Sequence, residues 1–430
     1  MVYHNYKQSR LITRAHDPEQ GPDANGLAQR YVGGRLFKGD SVSASVDISG
    51  VVRAGTWRHD WLTGVGYGTS TNESTSGDLH NQSISDGSGP YPVDPIDINS
   101  PVYSDYPYAD QLWNADFTRK TERVDKNLYL QDMVHLPNGR TRLMLSGGWS
   151  QFETDTEKDP ATKLQRWSPR MAIMHDVTDT ATVYASYGES FTPQSSPTYL
   201  TTDGRYITDP VEGLQYEVGF KQDLFDANAM FTAAVFSLDK KNVATVIENL
   251  ECTYGGTAQP SATPEDACYE LAGLTRAQGV ELRLSGQLMD GWVAQVGYSF
   301  TDTKYVDTDN EFAEGRSVKY TPRHSLALWN KFRVHRSASL GEFNLGLGMR
   351  AWSETHDSWT DTGTNWNPGY GLVDLGVFWD KDLSASKRLK VSLNISNLFD
   401  KQYFDRARFP PNNILYGDER RAALSVQLSL

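Results

Sequence analysis

The sequence predicts an all-β protein: an antiparallel transmembrane β-barrel of about 16 strands, with short turns at one end and long loops at the other. Three observations predict it. Apolar–polar alternation recurs along most of the 430 residues, and no apolar run reaches the about 18 residues that a membrane helix needs. Short and long connections take turns between the alternating stretches. Alternation gives a strand one apolar and one polar face. A wall of such strands meets lipid with only every second residue, so a mean hydropathy of -0.55 is compatible with a bilayer. With 36 glycines, 22 tyrosines and 11 tryptophans, the composition suits strands of small residues flanked by aromatic belts.

Taken in order, the alternating stretches are hairpins. Residues 41–52 pair with 57–67, 127–134 with 142–152, 168–176 with 182–191, 216–224 with 230–238, and 279–288 with 292–301. A strand at 324–334 precedes Phe343, Leu345, Leu347 and Met349, which alternate with Asn344, Gly346, Gly348 and Arg350. Val373, Leu375, Val377 and Trp379 alternate with Asp374 and Gly376, and Phe378 is the one imperfection. Leu389, Val391, Leu393 and Ile395 follow, and the chain ends on Leu424, Val426, Leu428 and Leu430, separated by Ser425, Gln427 and Ser429. No convincing amphipathic helix occurs.

The connections are of two kinds. Leu136-Pro137-Asn138-Gly139-Arg140, Phe225-Asp226-Ala227-Asn228 and Met289-Asp290-Gly291 carry tight-turn chemistry. Residues 71–114, 192–212, 247–274, 302–322, 353–367 and 401–419 are long loops. Short turns on one side and long loops on the other are the layout of an outer-membrane barrel, whose long loops face out of the cell. No domain boundary stands out over residues 1–430, because strands of the same type resume after the Pro- and Tyr-rich stretch 87–108.

Several other chemistries are disfavoured. A net charge of -13 argues against nucleic acid, whose phosphates require a basic face. Asp307, Asp309 and Asn310 begin like a calcium loop, but Phe312 stands where the turn glycine belongs. The nine histidines form no zinc motif. Gly188-Glu189-Ser190-Phe191-Thr192 fails the nucleophile elbow at its last position, and no helix follows Gly64-Val65-Gly66-Tyr67-Gly68 to hold a phosphate. The sequence therefore predicts neither an enzyme nor a bound cofactor. Cys252 and Cys268 close a short, turn-rich loop, which suggests a disulfide and an oxidising compartment, with two free thiols as the alternative. Met1-Val2-Tyr3-His4 does not read as a signal peptide.

Five segments in order resemble the TonB-dependent outer-membrane receptors, and among them the ferric-siderophore receptors. They are Tyr184-Ala185-Ser186-Tyr187 with Phe191-Thr192-Pro193-Gln194, then Gln215-Tyr216-Glu217-Val218-Gly219-Phe220-Lys221, and Gly279-Val280-Glu281-Leu282 with Gly291-Trp292 and Tyr298-Ser299-Phe300. Thr321-Pro322-Arg323-His324-Ser325-Leu326-Ala327-Leu328-Trp329 follows. The last is Asn397-Leu398-Phe399-Asp400-Lys401-Gln402-Tyr403-Phe404 with Tyr416-Gly417 and Arg420. Together they cover about residues 165–430, whereas the upstream third matches through hairpin pattern alone. The family is built as a barrel of about 22 strands around an N-terminal plug. Set against that pattern, this chain reads as the barrel portion alone. It has too few strands, no plug, and no segment to engage the TonB complex, and it ends on Leu430 where the family has an aromatic.

The resemblance implies a ferric-siderophore ligand, held in a vestibule of aromatics and cations, and an outer-membrane lipid environment in the bacterial cell. The chelator wraps the iron, so no protein metal ligands are expected. Aromatic faces and cations complement flat, anionic chelates. Candidate contacts are Tyr103, Tyr106, Tyr108 and Trp113 in the first long loop, Tyr199, Arg205 and Tyr206 in the second, and Trp352, Trp359 and Trp366 in a later one. Each of these aromatics has a plainer reading as belt or loop packing. Two other functions stay open at this point, a passive porin-like channel and a soluble secreted β-rich binding protein. As a receptor's barrel portion alone, the chain is expected not to perform active uptake by itself.

Overall fold

The computed structural model describes residues 2–15, 27–75, 93–97, 119–156, 159–194, 209–246, 252–254, 257–259, 269–308, 312–356, 364, 366–384, 386–407 and 414–429. Among them are 23 strands. In chain order these are β1 (Val2–Ala15), β2 (Leu27–Ala54), β3 (Trp57–Thr75), β4 (Val93–Asp97), β5 (Arg119–His135), β6 (Thr141–Thr156), β7 (Asp159–Asp176) and β8 (Ala181–Thr192). Then come β9 (Val211–Leu224), β10 (Ala229–Val246), β11 (Cys252–Tyr254), β12 (Thr257–Gln259), β13 (Tyr269–Met289), β14 (Trp292–Asp307), β15 (His324–Ser337) and β16 (Gly341–Trp352). The last are β17 (Thr355–His356), β18 (Trp366–Asn367), β19 (Tyr370–Ser384), β20 (Lys387–Ser396), β21 (Phe404–Ala407), β22 (Ile414–Tyr416) and β23 (Arg421–Ser429).

One 17-stranded sheet forms the wall. Apart from β4, which pairs with the far end of β2, it is a single antiparallel meander in which each strand pairs with the next wall strand in the chain. The small ribbons β11–β12, β17–β18 and β21–β22 lie in the long connections. Among the described residues no pairing joins β1 to β23, so these two strands are the edges of the wall.

Two expectations need adjustment. Alternation did not reveal β1, whose sequence shows no regular apolar–polar period. It is held by registered pairing with β2 from Val2↔Ser43 to Ala15↔Arg30. The strands also run well beyond the apolar stretches: β2 spans 28 residues where alternation marks only 41–52. Backbone pairing continues above the apolar band because antiparallel hydrogen bonds do not depend on side-chain polarity. The stretch 71–114 likewise contains β4.

Register sorts side chains into two faces. Leu345, Val377, Leu393 and Leu424 fall on one cross-strand row, and Phe343, Trp379, Val391 and Val426 on the next. Leu345, Val377, Leu393 and Leu424 are exposed by 36–69%. The row between those two carries Asn344, Phe378, Ser392 and Ser425 on the opposite face. Val46, Ile48, Val65, Leu128, Leu130, Leu145 and Val218 continue the apolar face round the wall. An exposed apolar band of this extent is what lipid covers.

Aromatics close the band at both heights. Near the short turns, Trp292 stacks on Phe332 at 5.5 Å and Phe343 on Trp379 at 6.0 Å. Their indole N–H groups donate to Asn330 Oδ1 at 3.1 Å and to the Leu340 carbonyl at 2.7 Å. Nearer the long loops, Tyr187 packs on Tyr216 at 5.3 Å, and His324 lies 5.2 Å from Phe300 and 6.2 Å from Tyr298. From Trp292 to Phe300 the strand rises about 27 Å, and a tilt of about 35–45° leaves about 20 Å between the belts, comparable to an apolar band of about 25 Å.

Candidate functional site

The site is built where β16, β19 and β20 reach the long-loop end. On β16 the even-numbered residues point away from the apolar band, so Arg350 and Trp352 face the lumen. On β19 the same holds for Tyr370, Asp374 and Phe378. Register places Tyr370 directly opposite Trp352, and their rings sit 5.1 Å apart. Tyr403, from the connection after β20, lies 4.4 Å from Tyr370. Three aromatics thus form one half-buried cluster at the mouth.

Beneath this cluster Arg350 grips Asp374 with two hydrogen bonds, Nε to Oδ2 at 3.0 Å and Nη2 to Oδ1 at 3.2 Å. The fork geometry matches a carboxylate bidentately. Lower still, Trp329 and Phe378 meet edge to face at 6.4 Å, and Lys331 Nζ lies 5.4 Å from the Phe378 ring centroid. The rings fit because Gly346, Gly348 and Gly376 carry no side chain. A Cβ on Gly348 would come within 2.8 Å of Trp329, and one on Gly376 within 2.7 Å of Phe378. The lumen face therefore offers aromatic surface at this end, with the Arg350 charge offset by Asp374 and Lys331 set over the Phe378 ring.

A second contact pins two long connections together. His356 is 2% exposed, its Nε2 lies 2.8 Å from Ser317 Oγ, and its carbonyl accepts from the Tyr320 N–H at 2.9 Å. Elsewhere, a cavity of about 200 Å³ lined by Arg166, Trp167, Phe191 and Glu212 opens beside the long-loop ends of β7 and β8. Sites for drug-sized ligands start at about 300 Å³, so it is too small for an iron chelate. Among the described residues no cluster of three or more His, Cys, Asp or Glu could hold a metal.

Of the sequence-predicted contacts, Trp352 belongs to the mouth cluster. Trp366 packs edge-on against His356 at 5.5 Å and is 56% exposed. Tyr103, Tyr106, Tyr108, Trp113, Tyr199, Arg205, Tyr206 and Trp359 lie outside the described residues, as does Cys268. Cys252 opens β11, but its side chain is not among those described. Sequence reasoning missed Arg350, Tyr370 and Asp374. Tyr370 becomes a partner of Trp352 only once the β16–β19 register is known. Tyr403 lies within the segment Asn397 to Phe404, whose sequence by itself assigns it no contact.

The family described as "TonB dependent receptor-like, beta-barrel" matches residues 3–398. Among curated relatives, the ferrioxamine B receptor of Salmonella typhimurium is 27% identical over 371 residues, covering 85% of this chain and 47% of its own length. The metal-pseudopaline receptor CntO of Pseudomonas aeruginosa is 28% identical over 408 residues, covering 91% and 51%. The chain thus spans about half the length of the curated relatives it matches. Among solved structures, BauA, the ferric preacinetobactin receptor of Acinetobacter baumannii, superposes with a TM-score of 0.78 at 19% identity, covering 99% of this chain and 59% of that one. The ferripyoverdine receptor of the Pseudomonas aeruginosa outer membrane gives a TM-score of 0.73 at 18% identity, covering 99% and 54%. At such identities the structural likeness concerns the fold, while the sequence match runs nearly end to end. The chain belongs to the TonB-dependent receptor-like β-barrel family.

Proposed function

We propose that this chain forms barrel wall of a bacterial outer-membrane receptor for ferric siderophores, taken up by the intact protein with energy from the TonB system. The carrying observation is the family match across residues 3–398, on a wall whose lumen mouth presents Trp352, Tyr370 and Tyr403 above the Arg350–Asp374 pair. The names of the relatives, receptors for ferrioxamine B and metal–pseudopaline among them, support a metal chelate as cargo. The two aromatic belts and the lipid-sized apolar band between them support a membrane position.

In this reading the aromatic faces take the flat donor groups of the chelator, and cations offset its charge. Iron stays inside the chelator and needs no side chain of this chain.

The test is titration of the purified chain in detergent with ferrioxamine B and, separately, with a ferric catecholate. Saturable quenching of tryptophan fluorescence, weakened by Tyr370→Ala, is the expected result. No quenching by either chelate, together with steady conductance across a planar bilayer, would overturn the receptor reading in favour of a passive channel. Recovery in the soluble rather than the membrane fraction would overturn both.

A further inference from the structure

The connection after β20 begins with a residue in an unusual state. Asn397 is 3% exposed and adopts a left-handed φ of 51°. Its own N–H donates to Asp374 Oδ1 at 2.9 Å, on the carboxylate that Arg350 grips. Its side chain is used at both ends. Nδ2 donates to the carbonyls of Lys401 at 2.9 Å and Asp418 at 3.1 Å, while Oδ1 accepts from the Lys401 N–H at 2.9 Å. The Leu398 N–H donates to the Val373 carbonyl at 2.7 Å, a second tie to β19.

Further ties join the two ends of the same loop. The Arg420 N–H donates to Asp400 Oδ1 at 2.8 Å, and the Gly417 N–H to the Tyr403 carbonyl at 2.8 Å. The Tyr403 ring lies over Gly417, where any Cβ would collide with it. Outgoing and returning strands of the loop are thereby clamped at its base, and the clamp is bolted to the wall through Asp374 and Arg350. Tyr403 projects from this base onto Tyr370.

We infer that Asn397 is a positioning residue: it locks the base of the last long loop to the Arg350–Asp374 pair, and so holds Tyr403 in the aromatic cluster that receives the ligand. This rests on the reading of the long-loop mouth as the ligand end. The loop ribbon β21–β22 is then carried on a rigid base, and ligand selectivity at this side of the mouth depends on a residue that touches no ligand.

Asn397→Gly is the informative variant, because glycine accepts the left-handed backbone and removes only the side-chain ties. Its first readout needs no ligand. Tryptic cleavage of the full chain after Arg406, inside β21, should speed up by about fivefold or more, because the three side-chain hydrogen bonds of Asn397 no longer oppose local opening of the loop base. Tyr403→Phe should leave the cleavage rate unchanged. A wild-type cleavage rate in Asn397→Gly would overturn the inference.

The second readout is a double-mutant cycle on ferrioxamine B affinity. Asn397→Gly and Tyr403→Ala should each weaken binding by about tenfold, and the double variant should bind no worse than Tyr403→Ala alone. Fully additive losses would overturn the claim that Asn397 acts through Tyr403. Absence of chelate binding by the wild-type chain would instead remove the functional reading, and the cleavage assay would still decide whether Asn397 holds the loop.

Discussion

The two faces of the β16–β19–β20–β23 wall are made of the same strands, yet they obey different rules. The outer face needs only apolar side chains of any shape, because lipid conforms to them. Its rows, such as Leu345–Val377–Leu393–Leu424, contain no specific fit. The lumen face is specific at every level: Trp329 over Gly346 and Gly348, Phe378 over Gly376, Arg350 forked onto Asp374, and Asn397 sewn into its loop. A fluid solvent asks for composition, whereas a packed or hydrogen-bonded face asks for geometry.

That contrast can be broken experimentally. The largest effect belongs to the outer face. Leu347→Arg places a charge at mid-height in the apolar band and should cost about 2–4 kcal/mol of stability in lipid vesicles, read by urea unfolding. Asn394→Arg, on the lumen face of the neighbouring wall, should cost less than about 1 kcal/mol. Equal losses would mean that the faces have been assigned wrongly.

Next in size is a test of fit within the lumen face. Gly346→Val must displace the Trp329 and Phe378 rings and should cost about 1–3 kcal/mol, with a shift in tryptophan emission. A Cβ at Gly297 meets nothing within 4 Å, so Gly297→Val should be neutral or gain up to about 1 kcal/mol from its better strand propensity. Similar losses at both would show that these glycines serve the strand and not the rings.

Arg350→Gln should cost about 1 kcal/mol, because Asp374 keeps the Asn397 N–H but loses its charged partner in a half-exposed site. Thermal unfolding in detergent would register it as a small downward shift. Smallest of all is Asp179→Asn at the short-turn rim. Asp179 is 94% exposed and touches Arg140 at 3.3 Å, so stability should change by less than about 0.5 kcal/mol, and the change should shrink further as salt is raised. A large change there would contradict the view that this rim is held by its turns. One such turn is centred on Asn138, whose Oδ1 accepts from the Arg140 and Thr141 N–H groups at 3.0 and 2.9 Å.

What could be read from the residues alone follows from the range of the interactions involved. Alternation of period two names the strands and their apolar face without knowledge of any partner. Pro137-Asn138-Gly139 likewise names its turn, since the bonds it makes are local and Gly139 takes a left-handed φ of 71°. The regular exchange of short and long connections is enough to assign the ends of the wall. Strand β1 escaped detection because its only strong signal is its pairing with β2.

The site is another matter. Trp352 and Tyr370 are 18 positions apart in the chain and become neighbours through one register. Asp374 gains its meaning from Arg350 on one strand and Asn397 beyond another. Asn397 has an ordinary sequence context for a turn residue, and its burial, its left-handed backbone and its grip on Asp418 exist only when β20 and β23 lie side by side. Sequence alone therefore determined the wall, because lipid and backbone hydrogen bonding impose a repeating rule on it. Only the tertiary structure decided the mouth, where each contact depends on which strands are neighbours and how they are staggered.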